Sequence, residues 1–202
     1  LYKNWLMSQT QESNRPSLFY ESLELVALFL FGHYERAVAI GKACTEKLAM
    51  LWSARNSRLI LLFYGLARSG NLLRNLNDPR SLAEDFTTET KDTIEELRRF
   101  VGMMEDWSVV SDVNYRCWSR LLDAQIAELS TDHGQAVQHY EEALDHAAEH
   151  DFIFEEALGN YLMAGFVVRR KARRSARAAL QEAIGLYRQI AASGVAKTIE
   201  DE

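Results

Sequence analysis

The stretch HGQAVQHYEEAL, residues 133–144, decides the fold. Its Ala136, Tyr140, Ala143 and Leu144 return forty residues later as Ala176, Leu180, Ala183 and Ile184 in RRSARAALQEAI, residues 173–184. Each copy places a small residue first, a large apolar one at i+4, Ala at i+7 and an aliphatic residue at i+8. On a helix those spacings share one face. The alanines admit a neighbouring helix at short range, and the larger side chain fills the space beside the contact. A unit of this length, recurring and built of two helices, is the mark of a helical solenoid.

Composition agrees. Only 10 Gly and 2 Pro in 202 residues leave few sharp turns, which suits long helices better than sheets. Hydrophobic residues make up 48% of the chain, ample for a core. The longest near-continuous apolar runs, Leu25–Phe31 and Leu59–Leu66, are far too short to cross a bilayer. No basic, then apolar, then small-residue opening marks a secretory signal. Two cysteines, Cys44 and Cys117, form neither a framework nor a CxxC pair, which fits a reducing, cytoplasmic setting. A net charge of −6 disfavours a general nucleic-acid role. The start at Leu1 and the charged end suggest an excised piece of a longer protein.

Working outward, the pattern predicts an all-α domain over 1–202, with about four antiparallel helix pairs near 16–53, 54–106, 114–150 and 153–194. Leu1–Glu12 reads as short and amphipathic, and Pro16 suits the start of the next helix. Gly32-His33-Tyr34-Glu35-Arg36-Ala37 reads as a turn and helix start: Gly32 relaxes the turn, Tyr34 covers it and Ala37 sits at the close contact. The partner helix continues to about Trp52, with Ile40, Gly41 and Cys44 on the Ala37 face. Gly70 is expected to end the third helix, Asn71–Pro79 to be a loop, and Asp78 or Ser81 to cap the fourth. The second pair lacks the small-residue signature. Trp107–Val113 reads as a connector, and Ser193-Gly194 as the end of the last helix.

These units resemble tetratricopeptide repeats. From Trp107 onward the likeness is narrower. It is carried by Trp107-Ser108, Asn114-Tyr115, Leu122-Asp123-Ala124-Gln125, Ala136 and Tyr140, then Ala147 to His150, Phe152 and Glu155-Glu156-Ala157-Leu158. Ala164, Phe166, Ala176, Ala183, Tyr187, Gly194 and Lys197 complete it. This half resembles the helical region of large multidomain histidine kinases, the fungal hybrid kinases of oxidative-stress signalling above all. The N-terminal half shares only Gly32–Ala37 and Phe63-Tyr64. In that family the repeats follow a kinase-like domain and a STAND-type ATPase, and precede a GAF sensor and the histidine kinase core. The resemblance implies a role in two-component signal transduction.

His139, His146 and His150 share a helical face at spacings of 7 and 4, and two such histidines can bind zinc. No cysteine or carboxylate completes a ligand spacing, so an exposed, metal-free face is favoured. Glu155-Glu156 point about 100° apart and serve a helix dipole better than acid–base work. Cys44 stands where Ala is usual and reads as buried. Cys117, beside Arg116 and early in a helix, is a candidate reactive thiol, weighed below a structural role. Arg169, Arg170, Lys171, Arg173, Arg174 and Arg177 form the one dense basic patch. It reads as a solvated turn or, with charges so close, as a contact for an acidic surface or an ATPase-bound phosphate. No glycine-rich phosphate loop, GxSxG, HExxH or dinucleotide fingerprint occurs.

Function is therefore expected to be non-catalytic, with no cofactor and no metal. The concave face is expected to carry Phe19, Ser22, Val26 and Phe29, then Trp118, Gln125 and Glu128, then Tyr161, Gly165 and Arg169, and to hold a protein ligand. The partner is another domain of a kinase, an upstream sensor or a downstream regulator, with neither nucleic acid nor membrane. The alternative is the repeat arm of a STAND-type transcriptional regulator.

Overall fold

The computed structural model describes residues 15–51, 56–75 and 84–201. Every element among them is helical. The helices are α1 (Arg15–Leu30), α2 (Tyr34–Glu46) with a 3-10 turn at Leu48–Leu51, and α3 (Asn56–Asn75). Glu84–Leu129 follows. It is two helices, α4 over 84–110 and α5 over 112–129, because Ser111 (φ −157, ψ 84) leaves the helical region. Then come α6 (His133–Glu149), α7 (Ile153–Arg169), α8 (Arg173–Gln189) and α9 (Ser193–Asp201). The chain divides into two compact units, Leu1–Thr93 and Ile94–Glu202, where the repeat pattern alone suggests one array. Among the described residues no helix is long and apolar enough to cross a membrane.

In the first unit α1, α2 and α3 pack on one another. Ile60 to Ala67 of α3 are buried without a break, as befits a helix apolar all round. The α1–α2 turn has the predicted roles. Gly32 takes φ +74, which glycine adopts without a Cβ penalty. Tyr34 stacks on Phe29 at 5.3 Å, and Arg74 of α3 lies over the Tyr34 ring at 4.1 Å while donating to the Gly32 carbonyl at 3.0 Å. Ala37, Gly41 and Cys44 are buried together on one face of α2.

In the second unit the repeat is metrical. Thr131, Asp151, Lys171 and Ala191 all have φ between 55 and 62 and recur every twenty residues. At each, the left-handed residue's amide reaches back three residues and the next amide reaches back five, as in Thr131 N to Glu128 O (3.0 Å) and Asp132 N to Ala127 O (2.8 Å). This paired closure satisfies carbonyls that a helix end leaves open. Three residues of turn and seventeen of helix therefore make one step, and α6, α7 and α8 each have 17 residues. Ala136, Ala143, Ala176 and Ala183 are buried as the alanine register requires. Successive helices from α6 to α9 pack on their neighbours. The α4–α5 break folds the chain back. A straight helix would hold Glu105 and Asp123 roughly 27 Å apart. Yet Glu105 adds to the upward push that burial gives the Asp123 carboxyl, against Arg120.

Several boundaries depart from the sequence reading. The second helix ends at Glu46, short of Trp52, in a 3-10 turn. α3 runs through Gly70 to Asn75, because that glycine serves close approach rather than termination: a Cβ there would stand 3.0 Å from the Tyr34 ring. The connector at Trp107–Val113 shrinks to the break at Ser111. Ser193-Gly194 opens α9, whose Val195, Ala196 and Ile199 are buried. Leu1–Glu12, Asp78 and Ser81 lie outside the described residues.

Left-handed backbone disfavours residues with a Cβ, and a β-branched one most. Thr131→Gly is therefore expected to stabilise the protein by about 1 kcal/mol, the relief of that conformation less the added chain entropy of glycine. A thermal melt showing an unchanged or lower midpoint would contradict this.

Candidate interaction surface

The residues expected on an open concave face are largely interior. Ser22 is fully buried, accepting from Asn56 Nδ2 at 2.6 Å and donating to the Phe19 carbonyl at 2.7 Å. Phe29 is buried between Tyr34 and Phe63. Phe19 is exposed and Val26 half-buried. The reason is that α1 is covered by α2 and by α3 at once, while Phe19, Tyr20 and Leu23 stay exposed.

The same burial holds in the second unit. Trp118, Gln125 and Glu128 are each at most 5% exposed. Trp118 Nε1 donates to Glu155 Oε1 at 3.2 Å, and Gln125 Nε2 donates to the Tyr140 hydroxyl. Arg169 reaches Glu128 with two nitrogens, Nε at 2.5 Å and Nη2 at 3.1 Å. Tyr161 and Gly165 are half-buried. The face read as a groove is thus a polar seam joining α5, α6 and α7. Glu155 also stands with Glu156 in the first turn of α7, favourably for the helix dipole.

Cys117 sits in surroundings that disfavour a thiolate. It is 2% exposed, and burial, with Glu155 adding to it, pushes the thiol far up. Cys44 is fully buried, as expected.

The three histidines do not share an exposed face. His146 is buried, with both ring nitrogens unpartnered, and its ring stacks on His150 at a centroid distance of 4.4 Å. His139 faces Glu142 at 3.9 Å. Among the described residues no group of three or more His, Cys, Asp or Glu is placed to hold a metal ion. Desolvation first, then His150 and Arg116, hold His146 below its ordinary 6.5, against Asp112 and Glu149. The sign follows. The unfolded chain takes up the proton more readily, so stability is kept above about pH 6.5 and falls as the pH drops through 6.5 towards the lower folded value. His146→Phe, which preserves the stack, should flatten that fall. Parallel pH dependences of the melting temperature in the two proteins would refute the assignment.

Two open clefts carry mixed charge. One, of about 360 Å³, lies along Glu105, Ser108, Asp112, Arg116, Ser119 and Arg120. The other, of about 410 Å³, runs past Gly32, His33, Glu35, Arg36 and Arg74. Beside the first, Val109 and Val110 are about nine-tenths exposed at the α4–α5 break.

The basic patch survives with one member removed. Arg169 turns inward to Glu128. Arg170, Lys171, Arg173, Arg174 and Arg177 are exposed on the α7–α8 turn, and none forms an ion pair with a described carboxylate. Arg170 Nη1 lies 2.9 Å from His133 Nε2, a pairing the sequence did not reveal because it spans two separate turns. No family model matches this chain, and neither a curated protein nor a solved structure is found to be similar to it.

Proposed function

We propose that the chain is a non-catalytic protein-interaction scaffold that relays the state of an ATPase or sensor partner to a signalling histidine kinase. The observation that carries the scaffold reading is the twenty-residue metre of α6 to α9. The same left-handed closure ends successive helices, which supports reading the unit as an array of like steps. Trp118, Gln125 and Glu128 are engaged in a polar seam between helices, so recognition falls to exposed residues outside it. The kinase setting rests on the resemblance in the C-terminal half.

Affinity capture with the 202-residue chain as bait, with and without ATP, tests this. Polypeptides bearing a STAND-type ATPase or a histidine kinase core should be retained, more strongly in one nucleotide condition. Retention of neither class in either condition would overturn the reading.

A further inference from the structure

We propose that the α7–α8 turn, through Arg170, Lys171, Arg173, Arg174 and Arg177, is the docking site for an Asp/Glu-rich peptide segment of a protein partner. The inference rests on the scaffold reading and names the chemistry of what the scaffold holds. Its geometry is fixed by backbone. Lys171 occupies the left-handed position (φ 62) that swings the chain from α7 into α8. Arg173 and Arg174 open α8, and Arg177 follows at i+4 and i+3, so it neighbours each of them on the helix surface. All five side chains are exposed.

The placement runs against local preference. The first turn of α8 has no acidic residue, and its N-cap Ala172 makes no side-chain hydrogen bond. Cations at a helix start oppose the dipole, and like charges this close repel. The two preceding helices do the opposite: Asp132 caps α6, and Glu155 and Glu156 occupy the first turn of α7. The charge is therefore inverted at one turn of a repeating array, in a chain of net charge −6. Among the described residues no carboxylate forms an ion pair with these five cations, and Glu128 is committed to Arg169.

Four of the five cations are arginines, whose planar fork matches carboxylates two bonds at a time. The patch covers one turn and the start of one helix, too short to track a nucleic-acid backbone. An extended acidic peptide of a few residues fits that span and that donor set.

The test is fluorescence anisotropy of a labelled peptide of alternating Asp and Glu with the full chain. Two charge-matched triple variants are compared: Arg173→Glu/Arg174→Glu/Arg177→Glu, and Lys42→Glu/Lys91→Glu/Arg98→Glu at exposed sites elsewhere. The peptide should bind the wild-type chain. The first variant should weaken it about tenfold or more, as expected for several lost charge-assisted contacts, and the second should leave it nearly unchanged. Equal losses in both variants, no binding to wild type, or tighter binding of a single-stranded oligonucleotide of equal charge would overturn the proposal. Capture with the first variant separates the two readings. Loss of the same partners agrees with docking at this turn. Full retention of those partners removes the turn from the scaffold's function while leaving the scaffold intact.

Discussion

Arg169→Leu is expected to destabilise the protein by about 3 kcal/mol, because it strands the Glu128 carboxylate in the interior. The Glu128 side chain is 4% exposed and its two oxygens meet two nitrogens of Arg169. Glu128 stands in the last turn of α5, where the helix dipole disfavours an anion, so the guanidinium offsets both burial and the dipole. Arg169 retains 28% side-chain exposure, which places the expected loss at the lower end of that for a broken buried pair. Removing both charges is a different experiment. Glu128→Leu/Arg169→Leu fills the seam with apolar volume and should recover most of the loss, since an apolar pair of similar size replaces a buried ion pair at little cost. Urea unfolding of the single and double variants, followed by circular dichroism, reads the cycle. A single variant as stable as the wild type would show that the pair contributes nothing to the array. A double variant no better than the single would show that packing, not the stranded charge, sets the loss.

The same pair shows what a sequence discloses and what it withholds. Ala136, Ala143, Ala176 and Ala183 disclosed the repeat because a close helix contact excludes larger side chains, and that constraint is written at fixed spacing. The turns are placed by the pattern, but their left-handed backbone is not. Thr131, Asp151, Lys171 and Ala191 hold the left-handed positions without glycine, so nothing local marks them. Conversely, Gly70 and Gly194 advertised helix ends that are not there, one serving a close approach and the other lying in the first turn of α9. The candidate face failed for a non-local reason. Trp118, Gln125, Glu128 and Arg169 are polar or amphipathic, and the alanine register turned them towards an open groove. Their burial depends on partners 15 to 41 residues away that no spacing rule pairs. His146 is buried for the same non-local reason, since its neighbours Asp112 and Arg116 come from α5. The basic turn was legible throughout because exposed charge needs no partner to be read. Only Arg169 departs, because it turns inward to a carboxylate 41 residues away.

Gly41→Ala should destabilise the first unit by about 1–2 kcal/mol net, although alanine is the better helix former. A Cβ at position 41 would stand 2.5 Å from Tyr64 Cδ2 and 2.8 Å from Tyr64 Cβ and Cγ. Rotating the ring relieves the first contact and leaves the Cβ contact in place, so α2 and α3 must part. Tyr64 is 4% exposed and offers no space to move into. Two effects therefore compete: relief of glycine's helix penalty, about 1 kcal/mol in favour of Ala, against overpacking of roughly 1–3 kcal/mol. A separation of helices disturbs every neighbour along the contact, including the buried Ala37 and Cys44 of the same face, so overpacking wins. Gly185→Ala supplies the control. Nothing lies within 4 Å of a Cβ there, and the position is exposed within α8. That variant gains the helix propensity without the clash and should be more stable by about 0.5–1 kcal/mol. Thermal melts of the two variants should move in opposite directions. A rise in both would mean that α2 and α3 are not packed through Gly41 and Tyr64.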